Sequence, residues 1–230
     1  MKAGKLVMCV LGFVLALVAT VTAADAPPLT FKFTTVNVPG AIQTFPLGVN
    51  NSGVIVGEYY DKTGVSHGYI LNGKKLIKFD DPNGTSTYGN SVNRALAVVG
   101  SYTNFPNGNE EGFLYKNRKF TDIPGPTGAT ASYALGINDS GEIVGSWWDS
   151  FQFHGFLLKG KTYATLDPPG AVHTWATGIN NKGDSVLFWV DSKGAVESSF
   201  YNGKTYRTIN VPGAVGSYAS GLNTAGDIIY

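Results

Sequence analysis

The stretch SYALGINDSGEIVG, residues 132–145, decides the fold, because it recurs along the chain at a fixed interval. The recurring stretches are TFPLGVNNSGVIVG (44–57), TYGNSVNRALAVVG (87–100), TWATGINNKGDSVL (174–187) and SYASGLNTAGDIIY (217–230). Each contains one asparagine after a Val, Ile or Leu, and these asparagines are 43, 45, 42 and 43 residues apart: Asn50, Asn93, Asn138, Asn180 and Asn223. The chain is therefore built from five copies of one unit.

Each unit predicts four short antiparallel strands separated by turns. In the first unit, a strand from Thr44 to Asn50 leads into the turn 50–53, where Asn favours the start and Gly tolerates positive φ. A second strand, 54–60, ends at the turn 61–64, and Asn72-Gly73 joins the third strand to the fourth. Four-stranded units of roughly 40 to 50 residues are typical of β-propeller blades. We therefore predict an all-β propeller of about five blades, with a β-solenoid or an open stack of sheets as the alternatives.

The two ends of the chain bear on how the propeller closes. Residues 31–38 resemble the fourth strand of a unit, and the fifth unit stops in its second strand at Tyr230. We expect the last blade to be incomplete, or to be closed by the N-terminal strand. A truncated chain explains the same ending, and the sequence leaves these alternatives open.

The first residues predict a signal peptide. Lys2 and Lys5 precede an apolar run from Leu6 to Ala19, and residues 21–23 are the small residues of a cleavage site. This run is shorter than the roughly 20 residues of a membrane-spanning helix, which disfavours a retained anchor. We expect 1–23 to be removed, 24–30 to be a linker and 31–230 to be one domain. The protein is then secreted, extracellular or periplasmic, with no membrane span.

Composition excludes several classes of function. Only 14% of the residues are charged, and the formal net charge is +1, with no basic cluster. A nucleic-acid partner is excluded because binding to phosphates needs concentrated Lys and Arg. Cys9, the only cysteine, lies in the predicted signal peptide, so the mature domain has no disulfide. We expect a monomer stabilised by its core.

Several motifs resemble the HAF-type extracellular repeat, which is found mostly in bacterial secreted proteins. They are GINDSGEIVG (136–145), the HGY and HGF tripeptides that begin at His67 and His154, and the recurring PGA. The resemblance covers nearly all of the predicted mature chain, and it implies a secreted repeat protein without implying an activity. Three residues depart from the pattern, because Leu96 replaces a turn glycine and Glu111 and Ser198 stand where the histidine is expected.

An aromatic residue stands five positions before each repeated asparagine, on the strand expected to line the central channel: Phe45, Tyr88, Tyr133, Trp175 and Tyr218. In a closed propeller these residues form a ring of five. Flat rings with polar tips suit stacking on sugars or holding a peptide, although packing between blades is the simpler explanation of a repeated aromatic residue. His173, a residue that occurs at this position in one unit only, is a sixth candidate for ligand binding.

The sequence predicts no catalytic residues, metal or cofactor. The five first strands contain no Asp or Glu, so the paired carboxylates of a glycosidase are missing from the expected place. Neither G-x-S-x-G nor H-E-x-x-H occurs. His67 and His154 lie two units apart, which is not a pattern of metal ligands, and we expect them to form structural hydrogen bonds. The repeated asparagines are expected to hydrogen-bond their own turns.

These observations favour a binding module for a polysaccharide or a protein partner. The alternative is a polysaccharide lyase or hydrolase on a propeller scaffold, which requires His173, Asp167 and a further acid to converge in one pocket. A truncated fragment without independent function is the third hypothesis.

Overall fold

The computed structural model describes residues 34–104 and 108–230, which form four sheets of four antiparallel strands followed by a sheet of two. In each sheet the strands lie side by side in chain order. We number these sheets as blades 1 to 5. The predicted signal peptide and linker, residues 1–30, lie outside the described residues.

The strand bounds follow the predicted repeat closely. Blade 1 contains β1 (Gln43–Val49), β2 (Ile55–Tyr60), β3 (Ser66–Asn72) and β4 (Lys75–Phe79). Blade 2 contains β5 (Gly84–Val92), β6 (Val98–Asn104), β7 (Glu110–Lys116) and β8 (Lys119–Ile123). Blade 3 contains β9 (Ala131–Ile137), β10 (Ile143–Trp148), β11 (Phe153–Lys159) and β12 (Thr162–Thr165). Blade 4 contains β13 (Ala171–Ile179), β14 (Ser185–Asp191), β15 (Val196–Tyr201) and β16 (Tyr206–Thr208), and blade 5 contains β17 (Gly221–Leu222) and β18 (Ile228–Ile229).

The hydrophobic cores lie between neighbouring blades. Between blades 1 and 2, Val56 and Phe79 pack against Tyr102 and Phe113, all 5% exposed or less. Equivalent clusters join blades 2 and 3, and blades 3 and 4. Because successive sheets pack face to face through these clusters, the blades follow one another around an axis, as in a propeller.

The first strand of each blade lines a central channel. A cavity of about 570 Å³ at one end of this channel is lined by residues of all five units. We call this the lower end, and it contains the turns of the five repeated asparagines. The upper end contains the starts of the inner strands and the turns between the second and third strands. The predicted propeller with an incomplete last blade is confirmed, because blade 5 has two strands among the described residues.

The residues before β1 occupy the place of a fourth strand beside blade 1. Val36 and Val38 pack against Tyr59 and Tyr69. Phe79, which ends β4, packs in the same way against the corresponding side of blade 2. This agrees with the resemblance of residues 31–38 to a fourth strand, although residues 31–33 lie outside the described part.

The repeated asparagines join each blade to the next at the lower end. The Oδ1 atom of Asn138 accepts hydrogen bonds from the backbone N–H groups of Ser140 and Glu142, within its own turn. Its Nδ2 atom donates to the backbone oxygen of Asn180 in the next blade, at 3.1 Å. The same donation to the next blade is made by Asn50, Asn93 and Asn180, at 2.9, 3.1 and 3.3 Å. The prediction that these asparagines hydrogen-bond their own turns is confirmed, and the bond to the next blade is an addition.

In blades 1 and 2 a repeated Thr holds the start of the inner strand. The Oγ1 atom of Thr87 accepts the backbone N–H of Asp81, six residues earlier, at 2.9 Å, and Thr44 accepts that of Val38 at 3.2 Å. In blade 4, the residue six positions before Thr174 is Pro168, which has no N–H group. The buried Oγ1 atom of Thr174 therefore has no hydrogen-bond partner among the described residues.

Candidate functional site

The cavity at the lower end is part of the scaffold. Its polar lining consists mainly of the asparagine turns, and the side-chain amides of Asn50, Asn93, Asn138 and Asn180 are already used in bonds between blades. Leu47 and Leu135 add apolar surface to the cavity wall. The side chains that distinguish one blade from the next lie instead at the upper end.

The five aromatic residues predicted from the repeat lie on the upper halves of the inner strands, apart from the cores between blades. None of them belongs to the four buried hydrophobic clusters of the described residues. Phe45 is 41% exposed and Tyr218 59% exposed, and the other three, Tyr88, Tyr133 and Trp175, are half-buried. Each ring therefore keeps surface in contact with solvent.

No two of these five rings contact each other directly in the described structure. In blades 3 to 5, Tyr133, Trp175 and Tyr218 alternate with two phenylalanines from other strands. Phe153 of β11 lies 6.0 Å from Tyr133 and 5.0 Å from Trp175, measured between ring centroids. Phe188 of β14 stacks on Trp175 at 4.8 Å and lies 5.3 Å from Tyr218. We call these five residues the aromatic arc. Sequence reasoning missed Phe153 and Phe188 because each occurs in one unit only.

His173 lies beside this arc. Its Nδ1 atom accepts the backbone N–H of Phe153 at 3.2 Å, and its ring centroid is about 6 Å from those of Trp148, Phe153 and Trp175. Asp167 does not hydrogen-bond to His173, because its two carboxylate oxygens are used by His154 and by the N–H of Gly155. The structure therefore gives no support to a catalytic pair of His173 and Asp167.

In blades 1 and 2 the corresponding part of the upper end is acidic. Glu58 pairs with Phe45 across β1 and β2. The hydroxyl of Ser66 lies 3.3 Å from Glu58 Oε2 and 3.2 Å from the backbone oxygen of Thr87, so it contacts the next blade. In blade 2, Ser101 donates to Glu110 Oε2 at 3.1 Å. We call Glu58, Tyr60, Tyr88 and Glu110 the acidic segment.

Burial raises the pKa of both glutamates above the ordinary value. The charge of Glu110 raises the pKa of Glu58 further, although the hydroxyl of Ser66 acts in the opposite direction. Neither carboxylate forms an ion pair with a basic side chain within the described ranges. Two partly desolvated negative charges therefore lie at the upper end without a counter-charge.

The acidic segment adjoins the aromatic arc. Burial and then the charge of Glu110 raise the pKa of Tyr133, which places Glu110 within electrostatic range of the first ring of the arc. Glu110 also lines a cleft of about 170 Å³ between blades 2 and 3, together with Glu111, Asn104 and Thr130. Ser132, which precedes Tyr133 in β9, lines the same cleft.

His67 and His154 have the structural role that the sequence predicts. The Nδ1 atom of His67 lies 2.8 Å from Asp80, and that of His154 lies 2.7 Å from Asp167. Each ring stacks on an aromatic side chain of the second strand, Tyr59 or Trp147.

In blade 4, the sequence-based prediction that Ser198 stands at the position of this histidine is wrong. The strand register pairs Glu197, not Ser198, with Trp189. In blade 3 the histidine of the motif, His154, is the residue paired with Trp147. Glu197 is therefore the counterpart of the histidine in blade 4.

Metal-binding groups and membrane-spanning helices were considered over the same residues. Within residues 34–104 and 108–230, no group of three or more His, Asp or Glu side chains is arranged to hold a metal ion. The described residues also contain no helix that is long and apolar enough to span a membrane.

No protein-family model matches the sequence, and no curated protein matches it. Among solved structures, the chain is similar to the β-propeller domain of the Trilobed protease from Pyrococcus furiosus, with 10% identity, a TM-score of 0.48 and coverage of 70% of this chain and 52% of that one. It is also similar to a catalytically inactive virginiamycin B lyase from Staphylococcus aureus, with 12% identity, a TM-score of 0.48 and coverage of 83% of this chain and 62% of that one. For the fucose-specific lectin from Aleuria aurantia, the identity is 13%, the TM-score is 0.44, and the coverage is 81% of this chain and 68% of that one. The chain thus spans about half to two thirds of the length of these structures.

Proposed function

We propose that this propeller is a carbohydrate-binding module whose upper end holds a saccharide against the aromatic arc. The observation that carries the proposal is a continuous row of five rings, 4.8 to 6.0 Å apart, that lies outside the cores and reaches across three blades. Sugars present C–H groups on their faces and hydroxyls on their edges. Aromatic faces beside polar groups match both.

The polar groups that a saccharide requires lie next to these rings. The Tyr133 and Tyr218 side chains carry hydroxyls, and His173 adds a ring nitrogen, Nε2, beside Trp175. Glu110 supplies a strong acceptor in the adjoining cleft. Ligand sites of this kind combine apolar and aromatic surface with a few polar groups that set orientation.

A glycan array with the purified chain tests this proposal. Bound glycans are then titrated calorimetrically against Trp175→Ala and Tyr218→Ala. We expect each variant to lose affinity by about fivefold or more, because one stacking contact contributes on the order of 1 kcal/mol. Tyr218→Ala is the safer variant, since this side chain is 59% exposed and its removal leaves the cores intact.

Val49→Ala is the matched control. Val49 is 68% exposed and lies on an inner strand, at the lower end of the channel. This variant is expected to bind as the wild type does. Folded arc variants with unchanged affinity, or the absence of binding to any glycan, would contradict the proposal.

A further inference from the structure

The turn between the second and third strands of blade 3 departs from the same turn in blades 1 and 4. In those two blades the turn begins with an aspartate whose Oδ1 atom accepts the N–H groups two and four residues later, and it contains a glycine at positive φ, Gly64 (83°) or Gly194 (81°). In blade 3 the Oδ1 atom of Asp149 accepts the N–H groups two and three residues later, each at 2.7 Å. This turn is one residue shorter, and its positive φ (84°) falls on Ser150, where a side chain makes that conformation unfavourable.

The shortened turn exposes a phenylalanine to solvent. By its backbone hydrogen bond to the first aspartate, Phe151 corresponds to Thr63 of blade 1 and Lys193 of blade 4. Phe151 is 79% exposed and belongs to none of the four buried hydrophobic clusters of the described residues. Because polar residues occupy this place in the other two blades, the folding of blade 3 does not require the ring.

Phe151 adjoins the aromatic arc. The turn connects Trp148 to Phe153, which pair across β10 and β11, and Phe153 belongs to the arc. Two residues of backbone span at most about 7 Å, so Phe151 lies next to the arc. The ring centroid of Trp148 is 4.6 Å from that of Phe153 and 6.3 Å from that of His173, which in turn is 6.0 Å from Trp175. We call Trp148, Phe151 and His173 the edge group, because they extend the arc to the upper edge of blade 3.

Polar groups lie beside these rings and fix the turn to the neighbouring loop. The backbone oxygen of Trp148 accepts the N–H of Thr130 at 2.7 Å and its hydroxyl at 3.1 Å, and the hydroxyls of Thr130 and Ser150 are 3.4 Å apart. The Nδ1 atom of His173 accepts the N–H of Phe153, and the other ring nitrogen forms no hydrogen bond among the described residues. A fixed turn with hydroxyls, an imidazole and an exposed ring suits both the edges and the faces of a sugar, at a low cost in conformational entropy.

We propose that the edge group is a second subsite of the binding surface, which takes the sugar unit next to the one that stacks on Phe153. The ligand is then an oligosaccharide that extends from the channel to the upper edge of blade 3, rather than a single terminal sugar. Phe151 determines this preference for length, because its exposed ring loses contact with water only when the second unit is bound. This inference rests on the proposed function and adds the length of the ligand.

The test uses a glycan array on which each glycan is printed beside the same glycan with one terminal sugar removed, including series of cello-, malto- and chito-oligosaccharides. Among the glycans that bind, we expect one added sugar to raise the apparent affinity of the wild type by about fivefold, the effect of one aromatic contact. Phe151→Thr is expected to lack this rise and to bind the shorter glycan as the wild type does. Its Tm is expected to match that of the wild type, since the side chain is exposed.

Two control variants accompany this substitution. Phe151→Thr/Thr63→Phe moves the exposed ring to the corresponding turn of blade 1, and it is expected to lack the rise as well, which separates a specific contact from adsorption of any exposed ring. Val49→Thr removes an exposed apolar side chain at the lower end and is expected to keep the rise.

A rise that persists in Phe151→Thr, or equal binding of the longer and shorter glycans by the wild type, would overturn the inference. In either case the proposed function stands if Trp175→Ala weakens binding. If no glycan binds the wild type, both proposals fail.

Discussion

The two ends of the central channel are built from the same five inner strands and differ in what their polar groups do. At the lower end the same asparagine occurs in every unit, and in the first four its amide is bonded to the next blade. At the upper end the residues change from unit to unit, and several polar groups have no partner within the described ranges, among them the Ser146 hydroxyl. In this repeat protein, repetition therefore marks the scaffold, and variation marks the candidate site.

The largest expected loss of stability follows from a substitution at the lower end. Asn138→Ala removes three hydrogen bonds within the turn, one of them from Nδ2 to Glu142, and one to the next blade. We expect a loss of about 2 to 4 kcal/mol in the free energy of unfolding, since each buried bond contributes roughly 1 kcal/mol and unpaired groups cost more. Denaturant unfolding measures this loss, and saccharide binding by the folded fraction is expected to be unchanged.

Asn223→Ala is the control for this variant. Asn223 is exposed, its amide bonds to Asp227 in its own turn, and no bond to a further blade occurs in the described structure. We expect a loss of about 1 kcal/mol. Equal losses at the two positions would contradict a stabilising role for the bond between blades.

A smaller loss of stability is expected at the upper end, where the repeated Thr holds the inner strand in blades 1 and 2. Thr87→Val leaves the N–H of the buried Asp81 without a partner and is expected to cost about 1 to 3 kcal/mol. Thr174→Val removes a buried hydroxyl that has no partner among the described residues, and is expected to be neutral within about 0.5 kcal/mol. Thermal unfolding of the two variants decides this, and a large loss at Thr174 would refute the explanation from Pro168.

The smallest expected effect is an increase in stability rather than a loss. Burial raises the pKa of Glu110, so the native state favours the protonated form more strongly than the unfolded state does. The contribution of this group to stability is therefore present at low pH and is lost as the pH rises through the raised pKa. Glu110→Gln is expected to increase Tm at pH 7, by on the order of 1 to 2 °C, and the difference from wild type should disappear below about pH 4.

Calorimetry across this pH range provides the measurement. A variant less stable than the wild type at pH 7 would show that Glu110 contributes to the fold, as the residues of the lower end do. The predicted gain in stability would instead identify Glu110 as a group kept for a purpose other than folding.

The repeat and the turns were predictable from the sequence because each depends on local chemistry that recurs. Asn and Gly specify the same turn wherever they occur, and the period of about 43 residues gives the blade. Leu96 shows how far the repeat tolerates change, since it adopts a φ of 59° where Gly141 adopts 82°. The hydrogen bonds between blades required the three-dimensional arrangement.

The candidate site was only partly predictable. The inner strands contain no carboxylates, and the sequence therefore gave no signal for an acidic group at the channel. Glu58 and Glu110 reach the upper end from β2 and β7, which lie farther out in the sheet. Phe153 and Phe188 join the arc in the same way. Sequence reasoning missed these four residues because each occurs in one unit only. Their positions can be matched between units only when the strand register is known.

The central claim is that ligands bind at the upper end of the channel, whereas the lower end stabilises the fold. Amide chemical-shift mapping during titration with a glycan that the array identifies tests this most directly. We predict shifts around Glu110, Tyr133 and Trp175, with the asparagine turns at Asn93 and Asn138 unchanged. Shifts confined to the turns and cavity of the lower end would contradict the account.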